Sequence, residues 1–414
     1  MPCTSDVLRY RWRDEPLPTV VPMNPLYETM PTSVFERMSL GAAARGAINL
    51  GQGFPDFGWA PEMIDAAARA LVEGSNQYAP SRGLPDLRRA VAAHYDRHFG
   101  QSLTTQTVCV TSGATEAIAA ALLATITLGD EVIVMTPAYD AYAPLIRRAG
   151  GVVREVALRP PGWRIERDVL AAAVTPATRA IVVNNPHNPT GRLFDRSELE
   201  VVAEVAVAND LIVISDEVWE HVLLDGQIFT PLATLPGMAS RTIKCGSAGK
   251  IFSLTGWKIG WAVAAPELAT LVARAHQFLT FASAPNLQVA VTDGLNSGDP
   301  WLAPMRERFA KARDRMAAGL TEAGFVVLPS AATYFLCVDL AASGIALDDE
   351  AFASLALEQA GVAVIPLSPF ADQDPPRHLI RLCFAKQEAT IDAGVAALSR
   401  ARELACAEGP RVGR

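Results

Sequence analysis

Between residues 106 and 264, short apolar runs rich in β-branched residues alternate with longer stretches of helical spacing. The runs at 106–111, 131–135, 152–156, 180–184, 211–215, 241–245 and 260–264 predict strands. Stretches at 115–127, 140–149, 166–173 and 196–209 predict helices between several of them. This β-α-β alternation predicts an α/β fold with a mostly parallel, seven-stranded sheet covered by helices on both faces. Before it, an Ala-rich helix spans 62–72 behind Pro61, and Gly83-Leu84-Pro85 opens another through Tyr95. After Trp301 come a long helix at 302–323, apolar runs at 325–328, 333–339, 362–365 and 379–384, a helix at 349–360 and a final helix. Together these predict a smaller α+β unit. Residues 1–23 are polar and proline-rich, carry neither period, and read as a loosely held arm.

Composition narrows the class. A chain of 414 residues with 50% hydrophobic and 19% charged positions supports two ordinary cores rather than disorder. A net charge of −8 argues against nucleic-acid partners and leaves no basic footprint for a membrane surface. The uncharged runs near 117–129 and 277–292 are too short to span a bilayer. The N-terminus lacks the apolar core of a secretory signal. Cysteines 3, 109, 245, 337, 383 and 406 are scattered without a CxxC pair and read as buried small hydrophobes in a reducing compartment. A soluble, cytoplasmic enzyme is expected.

The polar residues make the sheet informative. Ser112-Gly113-Ala114-Thr115, Tyr139, Asn188, Asp216 and the Ser247/Lys250 pair all fall just after the carboxyl ends of predicted strands. Ligands of open α/β sheets bind along that edge. Lys250, one of only five lysines, lies between Gly249 and Ile251-Phe252. Burial there would yield a neutral amine near physiological pH, suited to Schiff-base chemistry with a carbonyl cofactor. Gly113-Ala114-Thr115 opens a helix after a strand, and its amides suit a phosphate, as do Ser247 and Lys258; ordinary capping by Glu116 is the plainer alternative. Asp216 ends an apolar strand, where an unpaired carboxylate is costly. A protonated ring nitrogen about 4 Å away, at an effective dielectric near 20, would gain on the order of 4 kcal/mol. Arg381 lies mid-run in Leu379-Ile-Arg-Leu-Cys383 and suits a bidentate carboxylate, unless it merely occupies a wet strand face.

The segment Ser247-Ala-Gly-Lys-Ile-Phe-Ser-Leu-Thr-Gly-Trp-Lys-Ile-Gly260 resembles the pyridoxal-phosphate lysine segment of class I/II aminotransferases of fold type I. Within these the chain is most similar to the glutamine transaminase K and kynurenine aminotransferase group and its bacterial relatives. Asn49-Leu-Gly-Gln-Gly-Phe-Pro-Asp56, Asn76-Gln-Tyr78, Asn188-Pro-Thr-Gly191, Asp216-Glu-Val218 and Ile380-Arg-Leu-Cys-Phe384 follow in the family's order, and the resemblance runs from about Asn24 onward.

The resemblance implies pyridoxal 5'-phosphate anchored on Lys250, the general acid/base, with Asp216 on its ring nitrogen. Asn188 would donate to its phenolic oxygen and Tyr139 would stack on its ring. Gly113, Ala114, Thr115, Ser247 and Lys258 would hold its phosphate. Arg381 and Gly53 would meet the substrate, with Asn188 beside them. Tyr78 would reach the phosphate of the neighbouring subunit, implying a homodimer with shared active sites. Residues 24–59 would join 301–414 in the small domain, leaving 60–300 as the cofactor-binding domain.

Three departures stand out, one being Ala138 before Tyr139, where relatives often place an aromatic. Trp219 replaces the usual tyrosine, and its indole N–H is a donor only. Ala282 stands where kynurenine-active relatives place a histidine. Phe281, Ala282, Val34 and Tyr27 are expected at or near the substrate pocket, whose apolar lining would favour neutral or aromatic L-amino acids as donors to a 2-oxo acid. A cysteine-S-conjugate β-lyase and a succinyl-diaminopimelate-type biosynthetic aminotransferase are the alternatives. No G-x-G-x-x-G follows a strand, which disfavours a nicotinamide dehydrogenase, and no metal site is expected.

Overall fold

The computed structural model describes residues 23–57 and 61–407, so the predicted arm at 1–23 lies almost wholly outside the described residues. All seven predicted strands form one sheet: β1 (Val108–Ser112), β2 (Glu131–Thr136), β3 (Val152–Ala157), β4 (Thr178–Asn184), β5 (Ile212–Asp216), β6 (Thr242–Ser247) and β7 (Ile259–Val263). Their order is β1-β7-β6-β5-β4-β2-β3. Every pairing is parallel except those of β7, which runs antiparallel to both β1 and β6.

Strand periodicity explains how one sheet serves two cores. Ile181, Val183 and Val213 pack with Leu199, Val202 and Ala206 of helix Arg196–Ala208 on one face. Their immediate neighbours Ala180, Val182 and Ile214 pack with Ala117, Ile118 and Leu122 of helix Gly113–Thr125 on the other. Alternate side chains of a strand point to opposite faces, so nearly unbroken Val/Ile runs are what a doubly covered sheet requires.

A second sheet is antiparallel: β8 (Val326–Val327), β9 (Phe335–Asp339), β10 (Ile365–Pro366) and β11 (Leu379–Cys383), in the order β10-β11-β9-β8. Helices Leu302–Glu322, Asp349–Gln359 and Glu388–Ala407 share a core with it through Phe309, Met316, Phe352, Leu398 and Ala401. Ile48–Asn49 pairs in parallel with Val362–Ala363, so the segment after Ser33 is tied to the C-terminal third. Ser33–Arg414 forms one compact unit. Residues 23–32 hold a single short helix, Pro25–Glu28, capped by the Asn24 side chain, with Tyr27 exposed.

Three twelve-residue helices were not expected from the pattern: Val34–Arg45, Pro266–Gln277 and Pro285–Asn296. The last carries Gly294, a poor helix former, because a Cβ there would lie 2.9 Å from atoms of both Met63 and Phe252. Close packing overrides propensity at that point. Two single-residue expectations also need correction. Cys109, Cys245, Cys337 and Cys383 are buried as expected, but Cys406 is exposed on the last helix. His187 is buried, with Nδ1 2.8 Å from the Thr190 hydroxyl. Val34 is a core residue of its helix rather than part of a pocket.

Candidate active site

The carboxyl ends of β1, β4, β5 and β6 open onto a cavity of about 770 Å³, which the start of β7 and residues from β9 and β11 also line. Gly53, Gly113, Ala114, Thr115, Tyr139, Asn188, Asp216, Trp219, Ser247, Lys250, Lys258 and Arg381 all reach it. Twelve of the thirteen sequence-derived site residues thus line one cavity; the thirteenth, Tyr78, is 88% exposed and meets Phe281 edge-on at 5.5 Å.

The floor is built by two glycines. Gly113 has φ +73°, and a Cβ on it would lie 3.2 Å from Lys258 Nζ. Gly260 passes so close beneath that a Cβ there would be 2.6 Å from the Gly113 carbonyl carbon and 2.7 Å from Ala114 N. Missing side chains at both positions bring the Lys258 ammonium to the positive end of helix Gly113–Thr125, beside Ser247. The capping reading of Glu116 holds in part. It accepts from the Ser112 amide, as a cap would, but its other oxygen is held by His276 at 2.8 Å and Thr280 at 2.7 Å.

Asp216 ends β5, buried, with Oδ2 accepting from the Tyr142 hydroxyl at 2.5 Å and Oδ1 3.4 Å from the Val218 amide. Burial pushes its carboxyl up to about 6, against the lowering effect of the Tyr142 hydrogen bond. Lys250 projects from the short helix Ala248–Ile251 after β6. Its Nζ donates to the Tyr334 hydroxyl at 3.1 Å and lies 4.6 Å from the Trp219 ring centroid. Desolvation brings its amine down to about 8. Tyr334 in turn donates to the Gly53 carbonyl at 2.5 Å.

Arg381 sits on β11, 1% exposed, which rules out the wet strand face. Its Nη1 donates to Asn188 Oδ1 and its Nη2 to the Gly51 carbonyl, both at 2.8 Å, and its Nε is buried without a partner. The guanidinium lies 3.9 Å from the Phe335 ring centroid and 4.8 Å from that of Phe35. Because Asn188 Oδ1 is held by Arg381, the remaining donor of that amide is its Nδ2. Trp219 is buried with its ring edge-on to Tyr334 at 4.4 Å, so the indole packs beside the lysine.

Phe281 and Ala282 are outside the lining; Ser33, Phe35 and Glu36, the neighbours of Val34, line it instead. Tyr334, Tyr142 and Asp140 escaped sequence reasoning. Tyr142 follows Tyr139 by three residues and could have been suspected, whereas nothing local marks Tyr334 as a partner of Lys250. Lys244 is buried between Glu217 (2.9 Å) and Glu220, with its Nζ 3.8 Å from the Tyr95 ring centroid.

A family model described as aminotransferase class I and II matches residues 45–398. The chain belongs to the class I and II aminotransferases. It is 46% identical over 380 residues to the probable N-succinyldiaminopimelate aminotransferase DapC of Mycobacterium tuberculosis (strain H37Rv), covering 89% of this chain and 96% of that one. The methionine aminotransferase of Escherichia coli (strain K12) is 37% identical over 374 residues, covering 90% and 96%. The solved N-succinyldiaminopimelate aminotransferase of M. tuberculosis superposes with a TM-score of 0.89 at 45% identity, across 92% of this chain and 100% of that one. The protein is therefore a transaminase of fold type I, acting on small amino and oxo acids. Among the described residues no helix is long and apolar enough to cross a membrane.

Proposed function

We propose that this aminotransferase uses pyridoxal 5'-phosphate to move an amino group from a neutral or aromatic L-amino acid to a 2-oxo acid, as a cytoplasmic homodimer. The observation that carries the cofactor is the pairing of Asp216 and Lys250. They are a buried acid and a desolvated amine on adjacent strand ends, facing one cavity above a lysine at a helix N-terminus.

The residues fit the group. Lys258, Ser247 and the Gly113–Thr115 amides would hold the phosphate. Asp216 would keep the ring nitrogen protonated, Asn188 Nδ2 would meet the phenolic oxygen, and Tyr139 would cover the ring. When bound, the cofactor supplies an electron sink for the carbanion formed at the substrate's α carbon. Arg381, with its buried Nε unpaired, orients the substrate carboxylate. Lys250, whose amine titrates near 8, takes up and returns the α proton. The flat ring of Trp219 and the Tyr334 hydroxyl hold the lysine amine at the cavity wall.

Charge supports the neutral donor. The lining cations are Lys250, Lys258 and Arg381, each already assigned, whereas Asp140 and Glu36 would repel an acidic side chain. The name of the E. coli relative points the same way. The second reading, N-succinyldiaminopimelate, is favoured by the 46% identity to the M. tuberculosis protein so named. Tyr78, largely exposed and outside its own cavity, supports delivery to a second copy. The pairing of Ile48–Asn49 with Val362–Ala363 supports joining 24–59 to 301–414 in one domain, with 60–300 as the other.

The test has two parts. Borohydride reduction of the cofactor-loaded protein followed by peptide mapping should place the adduct on Lys250; any other lysine overturns the cofactor reading. A half-reaction screen read by cofactor absorbance should rank methionine and aromatic donors above glutamate and N-succinyldiaminopimelate. Conversion of the last alone would replace the donor. Release of pyruvate and ammonia from a cysteine conjugate without an oxo acid would instead favour the β-lyase.

A further inference from the structure

Away from the cavity, helix Pro85–Phe99 carries His94 and His98 four residues apart, on one face. His221, in the turn after β5, completes a triangle. The ring centroids are 4.5 Å apart for His94–His98 and 4.8 Å for each ring to His221. One nitrogen from each ring lies within 4.8 Å of the others. A carboxylate stands beside them: Asp299, between helices Pro285–Asn296 and Leu302–Glu322, has Oδ2 2.9 Å from His98 Nε2 and Oδ1 3.9 Å from His94 Nδ1. His94 and His221 are buried, while the His98 and Asp299 side chains keep 20% and 12% exposure and give a way in. None of the four lines the active-site cavity.

Hydrogen bonding alone does not satisfy this cluster. The rings of His94 and His221 meet through their Nε2 atoms at 2.8 Å. One of those atoms must accept, so that ring carries its proton on Nδ1, and the donor ring has a bare Nδ1. Both Nδ1 atoms, and Asp299 Oδ1, are buried with no hydrogen-bond partner among the described residues. Whichever tautomers are chosen, both Nδ1 atoms stay unpaired, so hydrogen bonding does not explain why the three rings converge. Three imidazoles around one point, with a carboxylate near two of them, instead supply the donor types of a four-coordinate first-row metal.

We propose that His94, His98, His221 and Asp299 form a binding site for a divalent transition-metal ion of the Zn²⁺ class, separate from the transamination site. Three Nε2 atoms and Asp299 Oδ2 make the ligand set. The 2.8 Å and 2.9 Å spacings would open to about 3.3 Å, as bonds of about 2.0–2.1 Å in a tetrahedron require. Surrounding charge opposes binding in part, since Lys244, Arg97 and Arg306 all act on the rings. Lys244 is offset by Glu217 and Glu220, Arg97 reaches Asp299 at 3.4 Å, and Arg306 donates to the His221 carbonyl. The ligand geometry decides.

The experiment strips purified holoenzyme with a chelator, equilibrates it with Zn²⁺, dialyses it against metal-free buffer and measures bound metal by mass spectrometry. Wild type should retain about one Zn²⁺ per chain, and so should H378A, which removes an exposed histidine outside the cluster. H98A, at the most accessible ligand, should retain less than a fifth of that, and D299N should bind at least tenfold more weakly. Co²⁺ substitution should show tetrahedral d–d absorption in wild type and none in H98A. H98Q serves as the second variant should H98A lose its fold by circular dichroism. Absence of retained zinc in wild type, or equal retention in a folded His98 variant, overturns the proposal without touching the cofactor assignment.

Discussion

Replacing Arg381 by lysine probes the substrate end of the site. The guanidinium makes two hydrogen bonds, to Asn188 Oδ1 and the Gly51 carbonyl, each at 2.8 Å, which leaves three of its five N–H groups for a carboxylate. A lysine keeps the charge but cannot hold both anchors and grip a carboxylate at two points. Losing one or two charge-assisted hydrogen bonds, at about 1.5–3 kcal/mol each, predicts a loss of about 2–4 kcal/mol in transition-state binding. This corresponds to about 30- to 1000-fold in kcat/KM. The assay compares half-reaction rates for an amino acid and for the amine lacking its carboxylate, in wild type and R381K. If Arg381 recognises the carboxylate, the preference for the amino acid contracts by the same factor in the variant while the rate with the amine barely changes. A preference that stays within threefold of wild type, with both rates depressed together, would refute the role and leave Arg381 as a structural anchor.

Three further outcomes are expected. In the cofactor-free protein the Asp216 carboxyl titrates near 6 rather than near 3.8, so between those values the native state holds a proton that the unfolded chain has released. Its contribution to stability is therefore present at low pH and lost as pH rises from about 4 to above 6, on the order of 3 kcal/mol. The melting-temperature advantage of wild type over D216N should shrink across that range; a widening gap would contradict the burial. K244M leaves Glu217 and Glu220 buried without their cation and should cost about 3–5 kcal/mol at pH 8 in urea unfolding. The loss should be smaller at pH 6, because burial already pushes Glu220 up to about 7, and equal losses at both values would count against it. Y334F removes the hydroxyl between Lys250 and Gly53, a bond of about 1 kcal/mol, and should slow the half-reaction about fivefold with KM little changed. Unchanged rates would make Tyr334 a packing residue only.

The strands of the main sheet, the helices between them and the rim of polar residues at their carboxyl ends were all legible in the chain. Each depends on local periodicity, or on a residue placed one or two positions beyond a strand, and both are one-dimensional signals. Lys250 and Asp216 stood out for the same reason: a charged group beside an apolar run marks itself without a partner. The tertiary structure decided what these groups touch. Tyr334 is 84 residues from Lys250 in sequence and reaches it only because the loop before β9 folds over the main sheet. Arg381 is buried rather than wet because Gly51 and Asn188, hundreds of positions away, accept its protons. The lining at Phe35 and Glu36, not Val34, follows from the rotation of one helix against its core, which no composition encodes. The histidine triangle brings together two separate stretches, of which only the His94–His98 spacing was visible along the chain, because proximity between distant segments is set by packing and not by pattern.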